Sequence, residues 1–209
     1  GVIGGRCLYF AGTGTSGVEL WSTEGTPAGT FMVRDIRPGS GSFSTVVNAN
    51  PPYYSTATLG GEVFFGADDG TGVRQLWATD GTTQGTRLVR SRCGPIQNVL
   101  VNGGQLFMDG VASNSDDTVL WVSDGTAGNT REIAAFKNAG GYEPRNFQAF
   151  GDGVIFLARR NSTSGKGLWR SDGTETGTYI IIAGTNSSNS VLDTPAVLGP
   201  QIIFSQTSP

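Results

Sequence analysis

Four copies of one short motif run through this chain, and no other feature of the sequence constrains the fold as strongly. Each copy reads Leu-Trp, any residue, Ser or Thr, an acid, Gly and Thr, and a further Thr follows four residues later. The tryptophans are Trp21, Trp77, Trp121 and Trp169, and the acids are Glu24, Asp80, Asp124 and Asp172. A motif that returns about every 45 to 50 residues predicts a row of similar structural units.

Each unit contains further signals of β-structure. A tight turn with glycine precedes a short apolar run, as in "GGEVFF" from Gly60 and "GDGVIF" from Gly151. The residues around each tryptophan alternate between apolar and polar, and a β-branched run follows the motif. These patterns predict four strands per unit. No segment has a convincing helical period, so we expect essentially no helix.

Four antiparallel strands in a period of this length are typical of a β-propeller blade. We therefore predict an all-β chain, a β-propeller built from four-stranded antiparallel blades, with about 4.5 blades present. The predicted blades span approximately 1–36, 54–91, 97–136 and 145–184, with a partial blade at 193–207. Because an open half-blade exposes unpaired strand edges, we expect a single propeller domain or a fragment of a longer one.

The motif residues themselves are best explained by architecture. The acid can accept hydrogen bonds from turn amides, and the glycine after it can adopt a positive φ. A second glycine site holds Gly29, Gly85 and Gly177, but Asn129 in the third copy. Since asparagine is the usual substitute in the left-handed region, this exchange predicts a second positive φ. The tryptophans are expected to wedge between blades, and the alternative is exposed rings that stack on sugars.

These residues resemble the ELWxxDGT repeat family, which occurs in tandem in large bacterial surface or secreted proteins. The resemblance covers nearly the whole chain, although the first Glu is kept only at Glu19 and Glu24 replaces the usual Asp. It implies a propeller-like repeat whose biochemical role is poorly defined. It carries over no catalytic residues.

The composition narrows the range of functions. The chain has 14 basic and 17 acidic residues, a net charge of −3 and no histidine. We therefore expect no nucleic-acid partner, and the commonest general base and imidazole ligand are missing. No apolar run is long enough for a membrane span. Cys7 and Cys93 can form one disulfide or remain two separate small side chains.

Residues with ligand-binding chemistry occur in the loops, which differ between copies. Two acid pairs near glycine could help bind Ca²⁺, although solvated loop acids are the simpler interpretation, and paired carboxylates also serve glycoside hydrolysis. Three tyrosines could stack on a sugar ring or merely pack in their loops. These candidates are Asp68, Asp69, Asp116, Asp117, Tyr53, Tyr54 and Tyr142. Asn161 and Asn186 begin N-glycosylation acceptor triplets.

From these observations we expect an extracellular or cell-surface propeller that is not an enzyme, without catalytic residues, resident metal or cofactor. Its expected role is a non-catalytic structural or adhesive module, with further copies or domains of a larger surface protein or fibre as partners. The alternative is a carbohydrate-binding, lectin-like propeller that uses loop aromatics and carboxylates. A glycoside hydrolase is the third interpretation.

Overall fold

The structure is a computed structural model that describes residues 1–41, 55–161, 164–184 and 195–204. The candidate residues Tyr53, Tyr54 and Asn186 lie outside the described residues. The chain divides into two compact units, Gly1–Gln97 and Asn98–Pro209.

The first unit contains two four-stranded antiparallel sheets in which each strand pairs with the next one along the chain. Sheet 1 consists of β1 (Val2–Ile3), β2 (Arg6–Thr13), β3 (Gly17–Thr23) and β4 (Phe31–Arg34). Sheet 2 consists of β5 (Thr56–Leu59), β6 (Glu62–Ala67), β7 (Gln75–Thr79) and β8 (Arg87–Arg90). The motif tryptophan lies on the third strand of each sheet.

The second unit repeats this arrangement and adds a hairpin. Sheet 3, whose first strand begins just before the unit boundary, consists of β9 (Pro95–Asn102), β10 (Gln105–Val111), β11 (Thr118–Ser123) and β12 (Arg131–Glu132). Sheet 4 consists of β13 (Tyr142–Phe150), β14 (Gly153–Arg159), β15 (Lys166–Ser171) and β16 (Tyr179–Ile182). The hairpin pairs β17 (Ala196–Leu198) with β18 (Gln201–Ile203). The predicted all-β class with four-stranded antiparallel sheets is therefore confirmed.

The first two strands of each sheet are joined by the glycine turns that the sequence marks. In sheet 2, Gly60 and Gly61 connect β5 to β6 with φ values of 60° and 82°. Two successive positive φ values define the turn that suits a tight antiparallel hairpin, and glycine adopts them without a steric penalty. These turns keep the strands in one register.

The cores form between neighbouring sheets within each unit. In the first unit, Leu20 and Val33 of sheet 1 pack in one buried cluster with Phe65 and Trp77 of sheet 2. In the second unit, Leu157 and its neighbours on sheet 4 pack against apolar residues of the β17–β18 hairpin. Burial of such side chains contributes about 1.5–3 kcal/mol each. Neighbouring sheets in each unit thus share a core.

The turn between the third and fourth strands is built almost identically in the four sheets. In sheet 2, the Asp80 carboxylate accepts hydrogen bonds from the backbone and the hydroxyl of Thr82, at 2.8 and 2.7 Å. Both hydrogen bonds lower the pKa of Asp80, and the bond from the Thr82 hydroxyl has the larger effect. Gly81 follows with φ 90°. The predicted roles of the acid as an acceptor and of the first glycine at positive φ agree with this geometry.

The expectation for the second glycine is wrong. Neither Gly85 nor Asn129 has a positive φ. Instead, a Cβ on Gly85 would lie 2.1 Å from Cγ of Asp80, so the Asp80 side chain already fills the space that a Cβ at position 85 would need. In the third copy, the Nδ2 group of Asn129 donates a hydrogen bond of 2.6 Å to Asp124. Close packing under the carboxylate, rather than backbone conformation, selects the residue.

The expectation of no helix is also wrong at one place. Helix α1 (Ala134–Asn138) follows β12. Its Phe136 is buried, with its ring centroid 5.0 Å from the Trp169 ring and 5.6 Å from the Phe156 ring. A helix of five residues is too short to produce a periodic pattern in the sequence. The contact of Phe136 with the aromatic rings of sheet 4 therefore stabilises the helix. Among the described residues, no helix is long and apolar enough to cross a membrane.

Candidate functional site

The topology gives every sheet two different ends. One end carries the glycine hairpin turn and the motif turn, which repeat from sheet to sheet. At the other end, here called the loop end, the second strand finishes, the third begins and the fourth finishes. The loop ends carry the segments that differ between copies, which is where a rigid repeated framework usually places its binding residues.

The predicted ligand residues lie at the loop ends of their own sheets, whereas the motif acids lie at the opposite ends. Asp68 and Asp69 follow β6, and Asp116 and Asp117 precede β11. Tyr142 begins β13, and Asn161 lies in the loop between β14 and β15. The structure therefore separates the motif acids from the loop residues within each sheet.

The loop end of the first unit contains a polar group that we call the carboxylate cluster, formed by Glu19, Arg37, Asp68, Asp69 and Gln75. Glu19 lies on β3, and its side chain is completely buried, with 0% exposure. Its Oε2 atom accepts a hydrogen bond of 2.8 Å from the backbone N–H of Ile36. Its Oε1 atom has no hydrogen-bond partner in the described parts of the chain.

The environment of Glu19 changes its protonation. Burial raises the pKa of Glu19 from 4.5 to about 7, and the neighbouring charge of Asp35 acts in the same direction. The backbone N–H groups of Ile36 and Arg37 oppose the shift, as does the positive charge of Arg37. Glu19 is therefore a carboxyl group that exchanges its proton near neutral pH.

Arg37 links Glu19 to Asp68. An Nη1 atom of Arg37 lies 3.4 Å from Oδ2 of Asp68, whose side chain is nearly buried. The other oxygen of Asp68 accepts backbone hydrogen bonds from Gly70 and Gly72, at 2.9 and 3.0 Å. Asp68 is thus a carboxylate held in position by Arg37 and by the loop amides.

Asp69 and Gln75 extend the cluster toward the loop surface. A hydrogen bond from Gln75, followed by bonds from Thr71, lowers the pKa of the half-buried Asp69. Gln75 is buried, and its Oε1 atom accepts a hydrogen bond of 3.0 Å from the indole N–H of Trp77. A continuous chain of polar contacts therefore joins the tryptophan of sheet 2 to an accessible carboxylate.

Sequence reasoning overlooked Glu19, Arg37 and Gln75 as site residues. One signal was available, because the position before Leu-Trp is polar only in the first two copies, as Glu19 and Gln75. In the other copies it is Val119 and Gly167. A polar residue placed where other copies have an apolar or absent side chain indicates a local function for that group.

The remaining candidates are less closely associated. Asp116 and Asp117 are exposed, and Asp117 accepts a hydrogen bond of 2.9 Å from the hydroxyl of Ser115. In the described part of the chain, no group of three or more acids or cysteines is placed to hold a metal ion. Calcium binding stays a prediction for these loops. Asn161 is exposed, and its side-chain oxygen accepts the N–H of Ser164 at 2.7 Å.

The motif tryptophans are buried or half-buried, and the two cysteines are not bonded to each other. Three of the tryptophans are buried, and Trp21 is half-buried with its N–H bonded to the carbonyl of Ala11 at 3.0 Å. Cys7 is exposed, Cys93 is buried, and both are free thiols, so the disulfide alternative is wrong for this structure. Burial raises the pKa of the Cys93 thiol to about 12.

Comparisons with known proteins add information on fold. No family model and no curated protein matches the chain. A structure from a study of two prolyl endopeptidases is 10% identical with a TM-score of 0.54, over 86% of this chain and 25% of the other. This chain therefore spans a quarter of that structure, and at this identity the likeness shows the fold alone.

Two further solved structures are glycosidases by their names. A family 117 glycoside hydrolase from Zobellia galactanivorans is 11% identical with a TM-score of 0.40, over 84% of this chain and 58% of the other. An α-L-arabinofuranosidase from Clostridium thermocellum is 13% identical with a TM-score of 0.33, over 92% of this chain and 76% of the other. These are resemblances, and they transfer no activity to this chain.

The comparisons nevertheless correct two expectations from the sequence. The chain was expected not to be an enzyme and to serve as a non-catalytic structural or adhesive module. The solved structures named above are enzymes, two of them glycosidases, so both expectations are contradicted and withdrawn.

Proposed function

We propose that this chain is part of a β-propeller of the ELWxxDGT type that binds carbohydrate at the loop ends of its sheets. The propeller interpretation is supported by successive four-stranded sheets that share a core within each unit. An extracellular or cell-surface location is part of this proposal.

The carboxylate cluster is the observation that carries the binding proposal. Sugar hydroxyls donate and accept hydrogen bonds, so they are recognised by side chains that offer both functions in fixed positions. Asp69 provides an acceptor and the partly exposed Arg37 provides a donor at the same loop end, while the buried Gln75 holds Asp69 in place. Because buried partners hold these groups in place, little conformational entropy is lost when a ligand binds.

A matched pair of aspartates tests the proposal. Binding of the chain to an array of neutral and acidic glycans identifies a ligand, and calorimetry then compares variants with it. Asp69→Asn at the loop end of sheet 2 is expected to weaken binding about tenfold, because one charged acceptor is lost. Asp80→Asn, in the motif turn at the opposite end of the same sheet, is expected to leave affinity unchanged. Equal affinity of both variants and the wild type would reject this site.

Glycoside hydrolysis is a second candidate function, favoured by Glu19. Glycosidases use a carboxylic acid of raised pKa together with a second carboxylate. Burial raises the pKa of Glu19, and Arg37 links it to the carboxylate of Asp68. Hydrolysis ranks second because Glu19 is completely buried and touches no accessible surface in this structure. It requires turnover of an aryl glycoside whose rate falls as pH rises through about 7. Turnover that persists unchanged in Glu19→Gln would exclude Glu19 as the acid.

A further inference from the structure

A row of one aromatic and two basic side chains crosses the loop end of sheet 4. Tyr142 on β13 lies opposite Arg159 on β14, and Arg159 lies opposite Lys166 on β15. Directly opposed residues of antiparallel strands direct their side chains to the same face of the sheet. We call these three residues the basic row.

The basic row and its charged neighbours together carry more positive than negative charge. Arg159 contacts Glu143 through its Nε atom at 3.2 Å, and Arg145 donates to the same carboxylate oxygen at 2.6 Å. One carboxylate is therefore shared by two guanidinium groups, with Lys166 close by as a third cation. The side chains of Arg145 and Arg159 are each about one-third exposed, although Nε of Arg159 is itself buried, so the cluster is reached from the surface.

The backbone of β13 holds this arrangement in a specific form. Glu143 and Asn146 have φ values of 53° and 55°, although neither residue is glycine. The pairing of β13 with β14 shifts register on both sides of Arg145. Irregularities of this kind redirect side chains and recur near functional sites. Here they place Glu143 and Arg145 beside the basic row.

The surroundings of Lys166 lower its pKa, first through burial and then through neighbouring cations. Burial and the positive charges of Arg145 and Arg159 lower the pKa of Lys166, against a smaller opposing effect of Glu143. An anion that binds among these groups would be attracted by all three cations and would offset their mutual repulsion. The cluster is thus electrostatically suited to a negatively charged ligand.

We propose that the basic row binds the sulfate or carboxylate group of an acidic saccharide, while the Tyr142 ring packs against the sugar. Guanidinium groups bind planar or tetrahedral oxyanions through paired hydrogen bonds, and the lysine adds a compact charge. This inference rests on the proposed carbohydrate function and specifies a ligand class. The net charge of −3 gives no extended basic surface that would favour a nucleic acid instead.

The strand β15 supplies a matched control for the test. Lys166 begins this strand at the loop end, whereas Arg170 lies near its other end and pairs with Asp152 at 3.0 Å. Lys166→Gln and Arg170→Gln remove the same charge from the same strand. The probes are a dextran sulfate oligosaccharide, the uncharged dextran of equal length, an oligogalacturonate and inorganic sulfate.

Affinity is measured by calorimetry at constant ionic strength on the full chain. Wild type is expected to bind dextran sulfate or oligogalacturonate at least about tenfold more tightly than dextran, and the preference identifies the anion. Lys166→Gln is expected to remove most of this preference, and Arg170→Gln to retain it. Arg159→Gln provides a second variant at the row, and circular dichroism checks that each variant is folded. Equal losses in Lys166→Gln and Arg170→Gln would overturn the proposal.

Two outcomes separate this inference from the general carbohydrate proposal. If dextran binds and Lys166→Gln changes neither its affinity nor that of the acidic saccharides, the carbohydrate function stands and the anion site is wrong. If inorganic sulfate binds in a Lys166-dependent manner but no saccharide does, the saccharide assignment is overturned. Tyr142→Ala is expected to weaken saccharide binding about tenfold without changing the affinity for inorganic sulfate.

Discussion

Glu19 combines complete burial with an ionisable group, and the two properties make its contribution to stability depend on pH. Its pKa in the folded chain is about 7, above the ordinary 4.5, so the folded state holds the proton more tightly than the unfolded state. The stabilisation from the bound proton is fully present below about pH 4.5 and is lost as pH rises through 7. A shift of this size corresponds to about 3 kcal/mol.

We predict that Glu19→Gln removes this pH dependence. Glutamine fits the position, because Gln75 occupies the equivalent place in sheet 2 and is buried. Between pH 5 and pH 8 the free energy of unfolding of the wild type should fall by about 3 kcal/mol more than that of the variant. Urea unfolding followed by tryptophan fluorescence measures both. Parallel pH profiles for the two proteins would mean that Glu19 titrates normally.

The residue that packs against the motif acid, glycine in three copies and Asn129 in the third copy, shows how one side chain restricts which residue can lie beside it. At Gly85 the Asp80 carboxyl fills the space that a Cβ needs, while Asn129 in the third copy bonds to its acid through Nδ2. A Cβ on Gly128, in that same third turn, meets no atom within 4 Å. The three positions therefore differ in packing although they lie in equivalent turns.

This difference predicts an order of stabilities. Gly85→Ala should destabilise the fold by about 1–3 kcal/mol, because the Cβ displaces Asp80 from its threonine hydrogen bonds. Gly85→Asn should cost less, since it can reproduce the amide–carboxylate bond of the third copy. Gly128→Ala should be neutral or stabilising by a few tenths of a kcal/mol. Thermal unfolding monitored by circular dichroism ranks the variants, and a Gly85→Ala midpoint equal to that of Gly128→Ala would contradict the packing explanation.

At the scale of the element, the motif turn is held by a buried pair of hydroxyl groups. Thr79 and Thr86 lie 2.7 Å apart through their oxygens, and Thr79 also accepts the buried N–H of Gly81 at 3.0 Å. Thr86 donates to the carbonyl of Thr82 at 2.6 Å, so the hydroxyl pair holds both ends of the turn together. The same hydroxyl pair occurs in the other three sheets. This explains why Ser or Thr is found before every motif acid.

Thr79→Val is predicted to destabilise the chain by about 1–3 kcal/mol, because valine matches threonine in shape but leaves the Gly81 N–H buried without an acceptor. Thr58→Val provides the control, since Thr58 lies on β5 with an exposed side chain and valine suits a strand. Denaturant midpoints measure both variants. A Thr79→Val midpoint within error of the control would show that the hydroxyl pair contributes little.

At the scale of the whole molecule, one contact between consecutive sheets recurs in both units. Arg34 of β4 donates to the carbonyl of Thr86 in the motif turn of sheet 2, at 2.6 Å. Arg131 of β12 donates to the carbonyl of Gly173 in the motif turn of sheet 4, at 2.8 Å. In sheets 2 and 4 the motif turn therefore closes its own hairpin and also contacts the preceding sheet.

The two cysteines provide a test of the fold as a whole. A thiol-specific reagent should modify Cys7 in the native chain and leave Cys93 protected, because Cys93 is buried and its pKa of about 12 keeps the thiol protonated. Unfolding in denaturant should expose the second thiol. Mass spectrometry counts the labels, with Cys7→Ser as the matched control. Two rapid labels in the native chain would contradict the burial of Cys93, and none would indicate the disulfide.

Much of the architecture was predictable because its causes are local in the sequence. Alternation around Trp77, the paired glycines at Gly60 and Gly61, and the acid–glycine order at Asp80 act through bonds and φ angles within a few residues. The alternation and the acid–glycine order recur in all four copies and the glycine pair in three of them, and this repetition removes ambiguity about strand number and order. The sequence by itself therefore determined the all-β class, the four strands of each sheet and the role of the acid and first glycine in the motif turn, but not the packing at the second glycine.

The tertiary structure alone decided which residues meet. The pKa of Glu19 depends on residues that follow β4, and the ion pair between Arg37 and Asp68 joins residues of two sheets. Helix α1 forms where Phe136 packs against Trp169. Tyr142, Arg159 and Lys166 become neighbours only through strand pairing. Desolvation and charge interactions act through space, so residues distant in the chain set them, and no local pattern records the result.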